Sequence, residues 1–510
     1  MRRFLVLILI FFLPSCTTPP PVSVTYDPFR PLQTLPPSPL PPPISPTPRQ
    51  VPTRAPLTIT LPPSPPPGAL LPTPTPDAPH PIPTPRTNAE TYIVQPGDSL
   101  SQIAVRYGVS VSALQRANAL PNPDLLEPGQ TLIIPTPEAD LSSPEFKIIP
   151  DSELVYGPAT ALFDLEGFIR RKNGYLAHYQ ETIGDRALSG AQIVQSVAQN
   201  QSVNPRLLLA LIEHRSGWVT QPDPTTLSPL NLPQPEGLHR QLSWAANELN
   251  RGYYLWRVNG LDTLSLNDGT LIALSPRLNA GSVALYRLFS LLDDRAAWEA
   301  DLSPFGFFQT YFFLFGNPFQ YAVEPLLPPG LEQPPLLLPF EKGVPWAFTG
   351  GPHGGWDNGS AWAALDFAPI DVAGCQTSAE WVTAVADGWI VRSGDGIVVQ
   401  DLDGDGYEQT GWSILYLHIA SEDRVPTGTY LFAGERIGHP SCEGGIANAT
   451  HLHLARRYNG EWIPADGPLP FNLEGWVSRG LGRAYDGLLQ RGDQILQAEE
   501  GFHEINTIRR

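Results

Sequence analysis

The sequence predicts a multidomain chain: a short βααβ module, an α-helical middle domain and a strand-rich C-terminal domain, strung behind a segment with no fold of its own. Three observations carry this. A length of 510 residues is enough for three or four domains at ~100–200 residues each, too long for one compact core. Proline is segregated: 27 of the 60 fall within residues 17–88, where six residues are charged and runs such as PPSPLPPPISPTP exclude a packed interior. Beyond residue 90 the spacing of apolar residues passes from helical to alternating, so helices precede strands. The formal charge of -18 excludes sequence-independent nucleic-acid binding, which needs clustered Lys and Arg to displace counterions.

Residues 1–15, MRRFLVLILIFFLPS, read as an export signal: two arginines, then an apolar run from Phe4 to Leu13, shorter than the ~20 residues of a membrane-spanning helix. The string Leu13-Pro14-Ser15-Cys16 resembles the lipobox of bacterial lipoproteins. That resemblance implies that Cys16 becomes a lipidated N-terminus and that the protein is extracytoplasmic, held to a membrane by acyl chains alone. Plain secretion with a stray cysteine is the alternative. Residues 16–90 then form a polyproline-like tether whose reach is bounded by ~3.1 Å per residue. Cys375 and Cys442 remain for an oxidising compartment, where one disulfide is expected and two buried thiols are the alternative.

Residues 91–136 open on an alternating Tyr92 and Val94. A helix with Leu100, Ile103, Ala104 and Tyr107 on one face follows and stops at Gly108, then a second helix near 111–117 and a strand at 132–134. With YIVQPGDSL, IAVRYGV, LQRAN and LEPGQTLIIP in register, the segment resembles a LysM module over its whole length. The resemblance implies binding of N-acetylglucosamine-containing glycans, chiefly peptidoglycan or chitin, in a shallow groove lined by Gly97, Asp98, Ser99, Leu100, Asn118, Ala119 and Leu120. Turn and cap chemistry is the other use for Gly, Asp and Asn at such places.

Residues 145–330 follow a helical pattern. Asn204-Pro205 is a cap and first-turn pair, and Leu207, Leu208, Leu211 and Ile212 make an apolar stripe. The string NPRLLLALIEHRSGW resembles the catalytic helix of lysozyme-like lytic transglycosylases and glucosaminidases, in which a Glu precedes the Ser. Here that position is Arg215, and a guanidinium cannot donate the proton that glycan cleavage requires. Glu213 lies two residues away, about 200° around the helix from the Leu208, Leu211 and Arg215 stripe. The region is therefore read as a degenerate lysozyme-like domain without glycosidase activity, or as an unrelated spacer.

Residues 338–475 hold His353, His418, His439, His451 and His453, five of the ten histidines in the chain. In Thr450-His451-Leu452-His453-Leu454 a strand places both histidines on one face and both leucines on the other; the same alternation groups Tyr416 with His418 and sets Asp366 opposite Leu365 and Phe367. A His–Asp–His set suits one zinc ion, because three N/O ligands leave a fourth tetrahedral position for water. The stretches GGPHGGWDNGSAWAALDF, ADGWIV, LYLH, GERIGHPSCEGG and HLH resemble the LytM/lysostaphin-type zinc endopeptidases, in particular the beta-lytic and staphylolysin branch. The resemblance implies a mostly antiparallel β fold with His353, Asp366 and His453 as metal ligands and His418 and His451 as the catalytic pair. It makes peptide stems of peptidoglycan the expected substrate; a degenerate, non-catalytic lipoprotein that positions or activates another wall hydrolase is the alternative. His439, in a Gly-His-Pro turn, is read as structural. Asp401, Asp403 and Asp405 alternate like the start of a calcium loop, but position twelve is Trp412, so a polar hairpin tip competes with calcium there. The tail, 476–510, carries no pattern.

Overall fold

The computed structural model describes residues 50–59, 88–122, 125–136 and 142–510. The export signal, Cys16 and most of the proline-rich tether lie outside the described residues.

The LysM segment forms the expected βααβ unit: strands Glu90–Ile93 and Thr131–Ile134 pair antiparallel, and helices Leu100–Tyr107 and Val111–Ala117 lie between them. Its small core is Val94, Leu100, Ile103, Ala104, Val109, Leu114, Leu132 and Ile134.

The middle region is built on helices, among them Gly190–Gln201, Pro205–Ser216, Leu238–Arg257, Ala280–Leu292 and Phe307–Phe315. The helix Pro205–Ser216 begins as its sequence requires, with the Asn204 side chain accepting from Arg206 N, and stops at Gly217 in the left-handed region. It is buried nearly all round, Leu207 to Ile212 having no exposed surface, so truncating one of these leucines to Ala should cost ~2–5 kcal/mol. Even its first turn is internal: Arg206 is buried against the carboxylate of Glu153 and the hydroxyl of Tyr311.

The C-terminal region is a nine-stranded sheet. Its order is Tyr430–Leu431, Gly388–Gly394, Ile397–Asp401, Trp412–Leu417, Leu452–Tyr458, Ala364–Pro369, Trp346–His353 and Thr507–Ile508, with Glu461–Trp462 added on Leu452–Tyr458. All pairings are antiparallel. One face packs Leu365, Phe367, Tyr416, Leu452 and Leu454 with Trp346 and Phe348 into a core of their own. On the other face Ile397, Val399, Leu415, Leu417, Ala455 and Trp462 join the core of the helical region. The two regions thus share buried surface, reinforced where Arg457, itself paired with Glu408 at 2.6 Å, donates to Gln199 O at 3.2 Å, and where Asn247 Oδ1 accepts from Gly359 N.

Two expectations need correction. The tail is part of this fold: Trp476–Gly480, Gly487–Arg491 and Gln494–Gln497 form a four-stranded sheet with Asn472–Leu473, and Thr507–Ile508 closes the edge of the large sheet. A boundary at 475 would cut between paired strands. Tyr416 and His418 do not share a face. Tyr416 lies in the opposite core with its hydroxyl donating to Gln400 Oε1, while His418 has φ +68, which breaks the alternation just past the strand and turns its ring to the other side.

Candidate metal centre

His453 is directly opposite Asp366 in the register of Leu452–Tyr458 with Ala364–Pro369, flanked by the buried Leu452 and Leu454 as alternation demands. His353 ends the adjoining strand, where two register shifts after Phe348 turn the chain toward Asp366. Gly350 permits this approach, since a Cβ there would lie 2.6 Å from Asp366 Oδ2.

Three atoms converge. His353 Nε2 is 3.0 Å from His453 Nδ1, and these nitrogens are 3.2 and 3.3 Å from Asp366 Oδ1. The second nitrogen of each ring is held by a backbone carbonyl: His353 Nδ1 by Gly351 O at 2.8 Å, His453 Nε2 by Gly355 O at 3.0 Å. With those N–H groups donating outward, the converging nitrogens present lone pairs to a carboxylate oxygen that is buried with no hydrogen bond. Three acceptors facing one another repel unless a cation sits among them. Metal–ligand lengths of ~2.0–2.2 Å in a tetrahedron place ligand atoms ~3.3–3.6 Å apart, close to the separations found, so the donor set fits such an ion. Burial works against charge on His353, yet Asp366 raises its pKa above the ordinary value; burial keeps His453 lowered and neutral. Burial also opposes charge on Asp366, but His353 and its neighbours hold it well below the carboxylate range.

Beside this set, the His418 and His451 rings lie 4.4 Å apart, and His451 Nε2 is 3.9 Å from Asp366 Oδ1. Each is oriented through Nδ1, His418 by Glu443 O at 2.9 Å and His451 by Ala449 O at 2.8 Å, and among the described residues neither Nε2 has a hydrogen bond. Burial, with His451 close by, lowers the His418 pKa to about 3, so its ring is neutral at ordinary pH.

Several contributors had no signal in the sequence. Tyr485, in the tail, stacks on His353 with centroids 4.2 Å apart. Its φ of +71 is costly for an aromatic residue and is held by Gly351 N donating to Tyr485 O and Tyr485 N to Pro352 O. The orienting carbonyls of Gly351, Gly355, Glu443 and Ala449 belong to residues whose side chains say nothing of this use.

The other predicted residues are placed as follows. Cys375 and Cys442 form a disulfide, Cα–Cα 5.4 Å. His439 is structural as expected, hydrogen-bonded to Glu380 O and packed on Trp381. Leu100 is in the LysM core, so its side chain cannot line a groove; Asp98 accepts from Tyr92 Oη and Gln95 N, and Asn118 bridges Leu114 O and Ile133. Gly97, Ser99, Ala119 and Leu120 flank the same two turns, Gly97 and Ala119 with positive φ. Asp401 accepts the amides of Asp403, Gly404 and Gly406, and Asp405 those of Tyr407 and the Thr410 hydroxyl, so the acidic turn between Ile397–Asp401 and Trp412–Leu417 is folded around its own carboxylates. Glu213 accepts from Val219 N, Thr220 N and the Thr220 hydroxyl, and Arg215 pairs with Asp293 at 2.8 Å.

The His–Asp–His set thus lies on one face of an antiparallel sheet, in a chain that also carries the βααβ unit at 90–134. Residues 92–135 match the LysM domain and residues 147–329 the LasA N-terminal domain. The chain is 26% identical over 346 residues to Protease LasA of Pseudomonas aeruginosa, covering 62% of this chain and 75% of that protein. It is 31% identical over 120 residues to the N-acetylmuramoyl-L-alanine amidase XlyA of Bacillus subtilis, 23% of this chain and 40% of that one. Similar solved structures are the deep-sea metalloprotease pseudoalterin, at 20% identity and TM-score 0.28 over 34% of this chain and 99% of that one, and the catalytic domain of lysostaphin from Staphylococcus simulans, at 23% identity and TM-score 0.18 over 24% and 87%.

Proposed function

We propose that the protein is a zinc metalloendopeptidase of the cell envelope that cleaves peptide bonds in peptidoglycan, held to a membrane through lipid on Cys16 and brought to the wall by its LysM module. The observation that carries this is the convergence of His353 Nε2, His453 Nδ1 and the otherwise unpartnered Asp366 Oδ1 within 3.3 Å, beside two imidazoles whose Nε2 atoms have no hydrogen bond among the described residues. Zinc bound by these three residues would supply Lewis acidity toward a water and the scissile carbonyl. Around it, Asp366 contributes the negative charge, and the Gly351 and Gly355 carbonyls keep both ligand rings in the tautomer that coordinates. His451 takes the proton of the attacking water at Nε2, its Nδ1–H anchored on Ala449 O. His418, held through Nδ1 by Glu443 O, is the second imidazole of the catalytic pair, its ring 4.4 Å from that of His451. Tyr485 walls the site by covering the His353 ring. The LysM module supplies glycan affinity and raises local concentration without entering the chemistry. Among the described residues no helix is long and apolar enough to cross a membrane.

The test is digestion of purified peptidoglycan by the full chain. New amino groups without new reducing sugar ends, lost on chelation and restored by zinc, are expected. Reducing ends without amino groups, or turnover indifferent to chelator, would refute the assignment.

A further inference from the structure

The acidic turn at 401–406 has a feature that neither a calcium loop nor a plain hairpin tip requires: a piece of the proline-rich tract lies on it. Ala55 N donates to Gly404 O at 2.7 Å, as in an added strand. The Arg54 guanidinium lies over the Trp389 ring, 5.0 Å from its centroid, and Trp389 is itself braced edge-on by Tyr430 at 5.2 Å. Gly406 leaves room for the guanidinium, since a Cβ there would stand 3.0 Å from Arg54 Nη1. Leu57 and Ile59 are half-buried, whereas Pro52 to Pro56 are exposed. The only cation of the described segment lies at a turn carrying Asp401, Asp403 and Asp405.

We propose that the 401–406 turn and Trp389 are a docking surface for the chain's own proline-rich tract, fastening it at Arg54–Ala55. The partner chemistry is an extended peptide with an arginine followed by a residue that has a free amide. Of the four arginines in the tract, Arg30 is followed by Pro31, which has no N–H for the bond to Gly404 O, so Arg30 cannot take this place. Fastening divides the tether. Residues 17–53, with a reach of at most ~115 Å, separate the lipidation site from the docked point, against ~230 Å for the tract up to residue 90. With the proposed lipid anchor at Cys16, this holds the enzyme body nearer the membrane.

Limited trypsin digestion of the full chain reads this directly. A cation–π contact and one amide bond together should hold the segment docked about ten times more often than free, so cleavage after Arg54 should be about tenfold slower than after Arg49 or Arg86. Trp389→Ala and Asp403→Lys should each bring the Arg54 rate up to that of Arg49. A measurement that leaves the folded chain unaltered uses a synthetic peptide of residues 52–59 at several millimolar, the range needed against an intramolecular competitor. It should expose Arg54, and the same peptide with Arg54→Glu should not. Cleavage after Arg54 as fast as after Arg49 in the unaltered chain would overturn the proposal, as would indifference to the peptide. Protection that appears only on adding calcium would also overturn it, assigning the turn to a cation.

Discussion

Replacing the two histidines of the HLH motif one at a time separates a metal ligand from a proton acceptor, because the geometry treats them differently. His453 Nδ1 lies 3.0 Å from His353 Nε2 and 3.3 Å from Asp366 Oδ1, inside the ligand triangle; His451 Nε2 lies 3.9 Å from that oxygen, outside it. Zinc binding worth ~10–16 kcal/mol over four ligands in structural sites puts one imidazole at roughly 3 kcal/mol, so His453→Ala should lose at least about a hundredfold in zinc affinity. His451→Ala should stay within about tenfold of the parent affinity while kcat/KM falls by ~10²–10⁴, the range for a proton-transfer group. His418→Ala should behave like His451→Ala, its ring centroid being 6.4 Å from that of His453. Competition with a chromophoric chelator gives the affinities, and release of amino groups from a soluble cross-linked peptide gives the rates. Zinc lost from the His451 variant but retained by the His453 variant would refute the assignment and move the metal toward His418.

Gly350→Ala would push a methyl to within 2.6 Å of Asp366 Oδ2, and a ligand displaced in this way should weaken zinc binding ~10–100-fold, measured by the same competition. The Cys375–Cys442 bridge closes a separation of 67 residues, for which chain entropy gives up to ~4 kcal/mol, so reductant should lower the thermal midpoint. Activity should fall with it, because Thr450 is tied to Gly374 O and Gln376 O beside Cys375, while Ser441, next to Cys442, holds His418 O. Arg215→Ala leaves the buried Asp293 without its 2.8 Å partner and should cost ~3 kcal/mol by denaturant titration, with turnover per folded molecule unchanged. Deleting residues 91–135 should reduce co-sedimentation with insoluble peptidoglycan and spare turnover of a small soluble peptide; equal losses in both would place the LysM module within the catalytic fold.

What was legible in the sequence is what a local period or a composition can express. Alternation around Leu452-His453-Leu454 and Leu365-Asp366-Phe367 put the apolar residues in one core and His453 and Asp366 on the other face, and the structure pairs these two. Cysteine arithmetic left Cys375 and Cys442 to pair, as they do. Tertiary structure decided the rest. His418 reaches the site by a left-handed residue that breaks the period, and a broken period is invisible to pattern reading. Tyr485 and the orienting carbonyls enter through contacts between segments far apart in sequence, Tyr485 lying 132 residues beyond the ring it covers. The patternless tail becomes sheet because neighbouring strands give its backbone partners, a stabilisation that resides in the pairing and not in the residues themselves. Periodicity states which face a side chain takes within one element; which elements meet, and in what register, depends on packing across the whole molecule.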